Sequence, residues 1–386
     1  MSATPPLATR LTMLLVASLT VMSGATIAPA LPTMAEHFAA APDAAFWTRL
    51  VLAGPALSIA LTASLGGRLI DRVGRLRPLF AALALYALAG SAGLWLDTLP
   101  ALVASRIVLG LAVAVLMTTA STLVGDYMQG PARDRFMGHQ AAFMGYGGVV
   151  FLSLGGVLAA AQWRAPFAVY LVSLVVLPLA WRTLWEPSRH ASPRPEETAA
   201  APPRHRLPVP AFHAMAALTF VTFYQVPTLL PFLLEDLGTP APEAAGLVVA
   251  TMNLFAATTS LAYGCIRARY SHPAIAAGGF GFLAGGFVVI ALAPTTAVVG
   301  AGTAVAGIGL GLSMPNTAIW LMTSVPAARR GRAMGGQTGG VFLGQVAAPL
   351  LAQPLVAAWG PAAAYWGAVA LLVPAAAAFA LWARRR

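Results

Sequence analysis

Lysine is absent: all 23 basic residues among the 386 are arginine, and charged residues of either sign make up only 9% of the chain. Soluble domains carry about 25% charged residues, so a water-soluble fold of this size is excluded. Cysteine is nearly absent too. Cys265 stands alone, which rules out an intrachain disulfide and any metal site built on cysteine pairs. No acidic residue falls near the centre of an apolar run, the twelve Asp and Glu lying at run ends or in loops. Intramembrane proton relays and cation sites normally use such residues. The glycine-rich phosphate loop of an ATP-driven pump is missing. So are the clustered His and Cys, nucleophile motif or paired buried carboxylates that an enzyme would need. No cofactor, metal or enzymatic activity is expected.

What is present is apolar, at 59% of residues. Runs of about 20 apolar residues recur along the chain, each enough to cross a hydrocarbon layer of about 30 Å. Spans read at 11–30, 48–66, 78–96, 100–123, 137–160 and 165–183, then at 211–234, 244–265, 273–293, 295–322, 333–356 and 361–382. The first has some look of a secretory signal, with Arg10 before it and a cleavage-like Ala28-Pro29-Ala30. Its length, and a second span directly after the polar loop 36–43, favour an uncleaved helix. The stretch 186–210, with Pro193-Arg194-Pro195-Glu196-Glu197 and Pro202-Pro203-Arg204-His205-Arg206, is too polar to fold alone. It reads as a cytoplasmic linker between bundles at 1–185 and 211–386.

The net charge of +11 would suggest nucleic-acid binding in a soluble chain, but here the arginines sit in short loops between spans. Positive loops are retained in the cytoplasm. With both termini inside, 20 of the 23 arginines fall on the cytoplasmic side; only Arg49 and Arg164 lie outside, and Arg106 is within a span. A multi-pass protein of the cell (inner) membrane is expected, with the lipid bilayer and a small molecule as partners, no nucleic acid, and a monomeric state.

The two halves repeat. A shift of 197 residues superimposes Arg135-Phe136-Met137-Gly138-His139-Gln140 on Arg332-Ala333-Met334-Gly335-Gly336-Gln337, with four of six positions identical. The same shift lays Gly67 on Gly264, Arg72 on Arg269, Gly110 on Gly307 and Met117 on Met314. The fold expected is an all-α membrane protein with twelve transmembrane helices in two pseudo-symmetric six-helix bundles. Parallel repeats of this kind place a substrate path between the halves near the midplane.

Between spans 2 and 3 lies Gly67-Arg68-Leu69-Ile70-Asp71-Arg72-Val73-Gly74-Arg75. Gly67 permits close helix contact. Asp71 is placed to meet the N-terminus of span 11, where unpaired N–H groups favour an anion. Asp126, at the C-terminal end of span 4, has the unfavourable polarity unless an arginine is near, and Arg75 is the expected partner. Topology alone does not explain an acid at 71, because that rule counts only Lys and Arg. The segment resembles the G-x-L-x-D-R-x-G-R pattern of the major facilitator superfamily, a resemblance that covers nearly the whole chain. It implies a cytoplasmic gate at Gly67, Asp71, Arg72, Gly74, Arg75 and Asp126 that must break for inward opening. The second half has Ala268 where the first has Asp71, so the gate is expected to be asymmetric.

Arg106, Gly110 and Ala114 on span 4 resemble the family's R-x-x-x-G-x-x-x-A pattern. An arginine within a span costs about 2.5–3.5 kcal/mol on insertion scales, so Arg106 should face a partner or cavity, or else snorkel outward toward Asp97. Span 5 carries Phe151-Leu152-Ser153-Leu154-Gly155-Gly156 where antiporter members have G-P-x-x-G-G, which weakens antiport. The family places spans 1, 4, 7 and 10 around the path. This makes Thr26, Met117, Tyr224, Gln225, Asn316 and Trp320 substrate-binding candidates, each equally able to serve as interhelical glue. Gln140, Gln337 and Gln345 are secondary candidates. Pro29, Pro32, Pro227 and Pro231 are placed to bend or break spans 1 and 7.

Without a buried acid, a neutral or anionic substrate fits better than a cation. Protons as coupling ion would have to use end-placed groups such as Glu36, Asp43, Asp71, Asp126 or His139, with the Asp126 cluster favoured, or else coupling is absent. Secondary transport by alternating access, with efflux of a drug or metabolite, is the expected function, closest to the twelve-span drug and metabolite efflux branch. Import of a small organic anion is the alternative within that class, and a non-transporting receptor or scaffold the alternative outside it.

Overall fold

The computed structural model describes residues 5–27, 30–40, 44–187, 207–238 and 242–384. Among them every element is helical. In chain order these are α1 (Leu7–Ala25), α2 (Leu31–His37), α3 (Ala44–Val73), α4 (Leu76–Ser91), α5 (Leu99–Tyr127), α6 (Gly130–Ala161) and α7 (Ser173–Thr183). They are followed by α8 (Val209–Phe223), α9 (Gln225–Asp236), α10 (Pro242–Arg269), α11 (His272–Ala291), α12 (Thr296–Ser324), α13 (Arg330–Trp359) and α14 (Pro361–Arg384). From 48 onward each expected span falls on one helix or a consecutive pair, counting the 3-10 segments Ala92–Leu94 and Ala165–Val172, while the end of the first span, at 28–29, lies outside the described residues. Nine helical stretches among the described residues are long and apolar enough to cross a membrane. Most of the expected linker, together with Pro29 and Asp43, lies outside the described residues.

Helix length positions the charges. The 30 residues of α3 rise about 45 Å at 1.5 Å per residue, well beyond a core of about 30 Å. The last turns of α3, with Asp71 and Arg72, therefore extend past the apolar layer.

Spans 1 and 7 are each broken. α8 ends at Phe223 and α9 begins at Gln225. Pro227 has no N–H to bond the Phe223 carbonyl, so the α8 ladder must stop there. In span 1 the helix ends at Ala25, and the next helix begins at Leu31. The breaks at Thr26 and Tyr224 are 198 residues apart (224 − 26), within one residue of the sequence repeat.

The chain forms two compact units that exchange segments relative to the sequence halves. The first holds residues 1–128, 147–199 and 325–339; the second holds 129–146, 200–324 and 340–386. Packing within them repeats with the same 197-residue offset. A Cβ on Gly110 would lie 2.7 Å from the Pro55 carbonyl oxygen, and one on Gly307 would collide with that of Met252. In the second unit a Cβ on Gly138 would collide with the Ser260 carbonyl oxygen; in the first, one on Gly335 would collide with that of Ala63. Both partners of each pair are shifted by 197, so the duplication extends to the helix seams. Backbone contact this close is how helices associate where apolar burial supplies no drive between them.

Candidate functional site

The charged end of the first unit is built around Asp71. α13 starts at Arg330, so the N–H groups of its first turn have no partner within the helix. Asp71 supplies one from outside: Oδ1 accepts from Gly331 N at 3.1 Å and Oδ2 from Arg332 N at 2.8 Å. Arg75 ties the acid into a network, its Nη1 donating to Asp71 Oδ1 at 3.0 Å and to the Ile70 carbonyl at 2.8 Å, and its Nε to Asp126 Oδ2 at 3.0 Å. Arg330 completes it, donating to Asp126 Oδ1 at 3.3 Å and to the Gly125 carbonyl at 3.2 Å. Two guanidinium groups thus offset the unfavourable polarity of Asp126 at the C-terminal end of α5. The four side chains are only 8–12% exposed. At that burial, removing one partner of an ion pair costs about 3–5 kcal/mol. Arg72 is exposed, while Gly67 lies buried against Gly331.

Sequence reasoning missed Glu186. Its carboxylate accepts from Arg75 N at 2.6 Å and Leu76 N at 2.9 Å, capping the start of α4. Gly74 makes room for it: its φ of +110° suits glycine, and a Cβ there would lie 2.8 Å from Glu186 Oε1. The cap follows a chain return over 110 residues, and no local pattern announces it. Tyr127 stacks on Trp185 at 4.2 Å and holds the same segment.

The matching end of the second unit is wired differently. By the repeat, His272 stands at the position of Arg75, Ala268 at that of Asp71 and Thr323 at that of Asp126. Asn316 Oδ1 accepts from Tyr263 Oη at 3.1 Å and pairs with His272 Nδ1 at 2.8 Å, and its Nδ2 donates to the His272 carbonyl at 3.0 Å. Arg267 Nε donates to His272 Nε2 at 3.3 Å. This pattern fits the neutral imidazole with hydrogen on Nδ1. His272 also stacks on Trp320, which packs against Phe212, Phe379 and Trp382. Asn316 and Trp320, expected as substrate contacts, are therefore taken up in joining α10, α11 and α12 and in an aromatic cluster with α8 and α14.

The absent acid at 268 has a structural counterpart. α6 is α-helical from Gly130, whereas the equivalent stretch ahead of α13, Ala327–Arg329 (327 − 197 = 130), is a 3-10 turn. The backbone N–H groups that correspond to those held by Asp71 already lie inside the α6 ladder and need no external acceptor.

Arg106 does not snorkel to Asp97; Arg164 pairs with that acid instead. Arg106 is fully buried, its Nη2 donating to the Ala89 carbonyl at 2.8 Å and also to that of Gly90. The guanidinium lies 5.0 Å from the Phe167 ring and 5.1 Å from that of Tyr170. It clamps α5 to α4 and to the Ala165–Val172 turn, with carbonyl dipoles and aromatic faces standing in for a counter-ion.

Of the other candidates, Thr26 and Gln225 are buried beside the two helix breaks, with Met117 and Tyr224 partly exposed. Among the described residues, Thr26 Oγ1, Thr119 Oγ1, Gln140 Oε1, Gln225 Oε1 and Gln337 Oε1 are buried without a hydrogen-bond partner. Native structures leave few such atoms. These lie on spans 1, 4, 5, 7 and 11.

A family model described as Major Facilitator Superfamily matches residues 13–241 and 211–386. The 3-(3-hydroxy-phenyl)propionate transporter of Escherichia coli K12 is 29% identical over 216 residues, 53% of this chain and 51% of that protein. The arabinose-proton symporter of the same strain is 28% identical over 172 residues, 42% of this chain and 36% of that protein. The matched stretches thus span about half or less of these relatives. Among solved structures, the proton:xylose symporter XylE superposes with a TM-score of 0.78 at 16% identity, covering 97% of this chain and 96% of that one. The human organic anion transporter TETRAN gives 0.78 at 20% identity, covering 97% and 100%. The relatives are transporters, not enzymes. With a family model matching both halves, and a fold shared with solved structures along nearly the whole chain, this protein belongs to the major facilitator superfamily.

Proposed function

We propose that the chain moves a small neutral or anionic organic compound by alternating access, acting as an exporter in the inner membrane, as a monomer with both termini cytoplasmic. The observation that carries this reading is the Asp71 network. A helix terminus capped from outside by a carboxylate, cross-tied by two arginines on Asp126, is a polar latch that water can replace when it opens. It is bistable in the sense a gate requires. The neutral substrate class is supported by orphaned atoms: buried Gln and Thr oxygens on five spans are acceptors that suit a solute with hydrogen-bond donors. The breaks beside Thr26 and Gln225 are the kind of discontinuity that forms transporter sites.

Import of an organic anion is the second reading, favoured by relatives named for phenylpropionate and organic-anion transport. Flux in proteoliposomes with an imposed pH gradient separates the two. Aromatic carboxylates, pentoses and lipophilic drugs are offered from either side. Saturable movement out of the arginine-rich face supports export, movement toward that face supports import, and no movement of any solute sinks both. Asp71→Asn should insert normally and reduce flux at least tenfold, because the amide presents an N–H to a helix terminus that needs acceptors; unchanged flux removes the latch.

A further inference from the structure

Asp71 and Asp126 have donors on all four carboxylate oxygens. Asp134 does not. It sits on α6 one turn before Gly138, ahead of the apolar run that begins at 137, with its side chain only 14% exposed. Its Oδ1 is shielded from solvent and, among the described residues, has no hydrogen bond within 3.5 Å, Arg133 Nε meeting it in an ion pair at 3.6 Å. The charged and titratable groups around it are Arg133 and Arg135 on α6, Tyr263 and Arg267 on α10, and, through Arg267, His272 at the start of α11. The Arg135 stem rests on Gly264 of α10. Burial raises the Asp134 pKa from its ordinary value, and Arg133 and Arg267 counter this only in part.

We propose that Asp134 is a proton-binding group of this transporter, holding its proton while α6 and α10 are packed together and giving it up to water at the arginine-rich end when they part. Only the use of that proton in coupling rests on the transport reading; the site itself does not. The neutral carboxyl suits a shielded Oδ1 held only by a long ion pair, whereas the carboxylate would need closer donors or water at that oxygen. Parting the helices at the Gly138–Ser260 contact hydrates Asp134 and returns it to its ordinary acidity. Opening therefore releases a proton, and acid favours the packed seam.

Two measurements on the full chain in lipid nanodiscs test this without any substrate. In infrared titration, the wild-type minus Asp134→Asn difference should contain a protonated-carboxyl band that bleaches at higher pH than an ordinary aspartate, and Asp134→Glu should restore it. For the seam, Ala257→Cys in a Cys265→Ser background puts a thiol beneath Gly145, reachable only when α6 and α10 separate. Its labelling, normalised to that of the native exposed Cys265 at each pH, should slow several-fold on acidification and lose this dependence in Asp134→Asn. A difference spectrum with no titrating band, or labelling whose pH dependence survives Asp134→Asn, overturns the proposal. A titrating site in a protein that moves no solute would instead sink the transport reading and leave the proton site standing.

Discussion

At the scale of single residues, chemistry that looks interchangeable in the sequence separates once partners are known. Arg75 and Arg106 are both nearly buried, yet Arg75 joins two carboxylates, while Arg106 meets backbone carbonyls and the Phe167 and Tyr170 rings and no carboxylate among the described residues, its Nε and Nη1 lacking a hydrogen-bond partner. Arg106→Lys should therefore destabilise the first unit by about 1–3 kcal/mol, since a lysine ammonium is a compact, strongly hydrated charge without the planar fork and stacking face. Loss of thermal stability without a change in substrate profile is the expected result, and an altered profile at wild-type stability would return Arg106 to the substrate path. Gly74→Ala tests the neighbouring turn. It should cost about 1–2 kcal/mol for the left-handed backbone and also crowd Glu186 off the α4 start, visible as a lower Tm.

At the scale of elements, helix starts decide where acids are needed. α13 follows a 3-10 turn and borrows Asp71; α6 is α-helical from the residue equivalent to the start of that turn, and Ala268 stands in place of the acid. Ala268→Asp should accordingly not create a second latch: the N–H groups it would meet by the repeat, those of Asp134 and Arg135, are already bonded within α6, so transport and Tm should stay near wild type. A large gain in stability would mean that the start of α6 offers unpaired donors after all. This asymmetry was half visible in the sequence, where the repeat register exposes the missing acid but not the difference in helix start. The Asp71 pattern was readable because spacing and charge are local and meet a physical need at a helix terminus. For Asn316 and Trp320 the sequence left substrate contact and interhelical glue open for the opposite reason. α12 is apolar on every side, and a helix without a polar face carries no signal of which side looks onto a path. Glu186 and Asp134 depend on contacts across distant segments, so neither their capping nor their burial could be read from spacing.

At the scale of the whole molecule, the two ends related by the repeat divide a task that the duplication once made symmetric. One is fixed by ionised groups with every oxygen satisfied; the other combines a neutral His272–Asn316 clasp with a carboxyl that prefers its proton. That difference sets the sign of the pH response. A carboxyl whose pKa is higher in the packed state than in the unfolded chain binds more protons when folded. Stability then falls as pH rises from the ordinary aspartate value near ~3.9 through the raised value in the folded protein. Paired surface carboxylates act oppositely, so the test is the difference between proteins at each pH. Asp134→Asn should match wild type at the acid end of this window and become progressively more stable than it as pH increases, because the wild type alone then carries a buried charge with incomplete hydrogen bonding. Parallel Tm profiles for the two proteins across the window would show that Asp134 is already hydrated in the resting state, and would remove both the pH response and the asymmetry of the two ends as its cause.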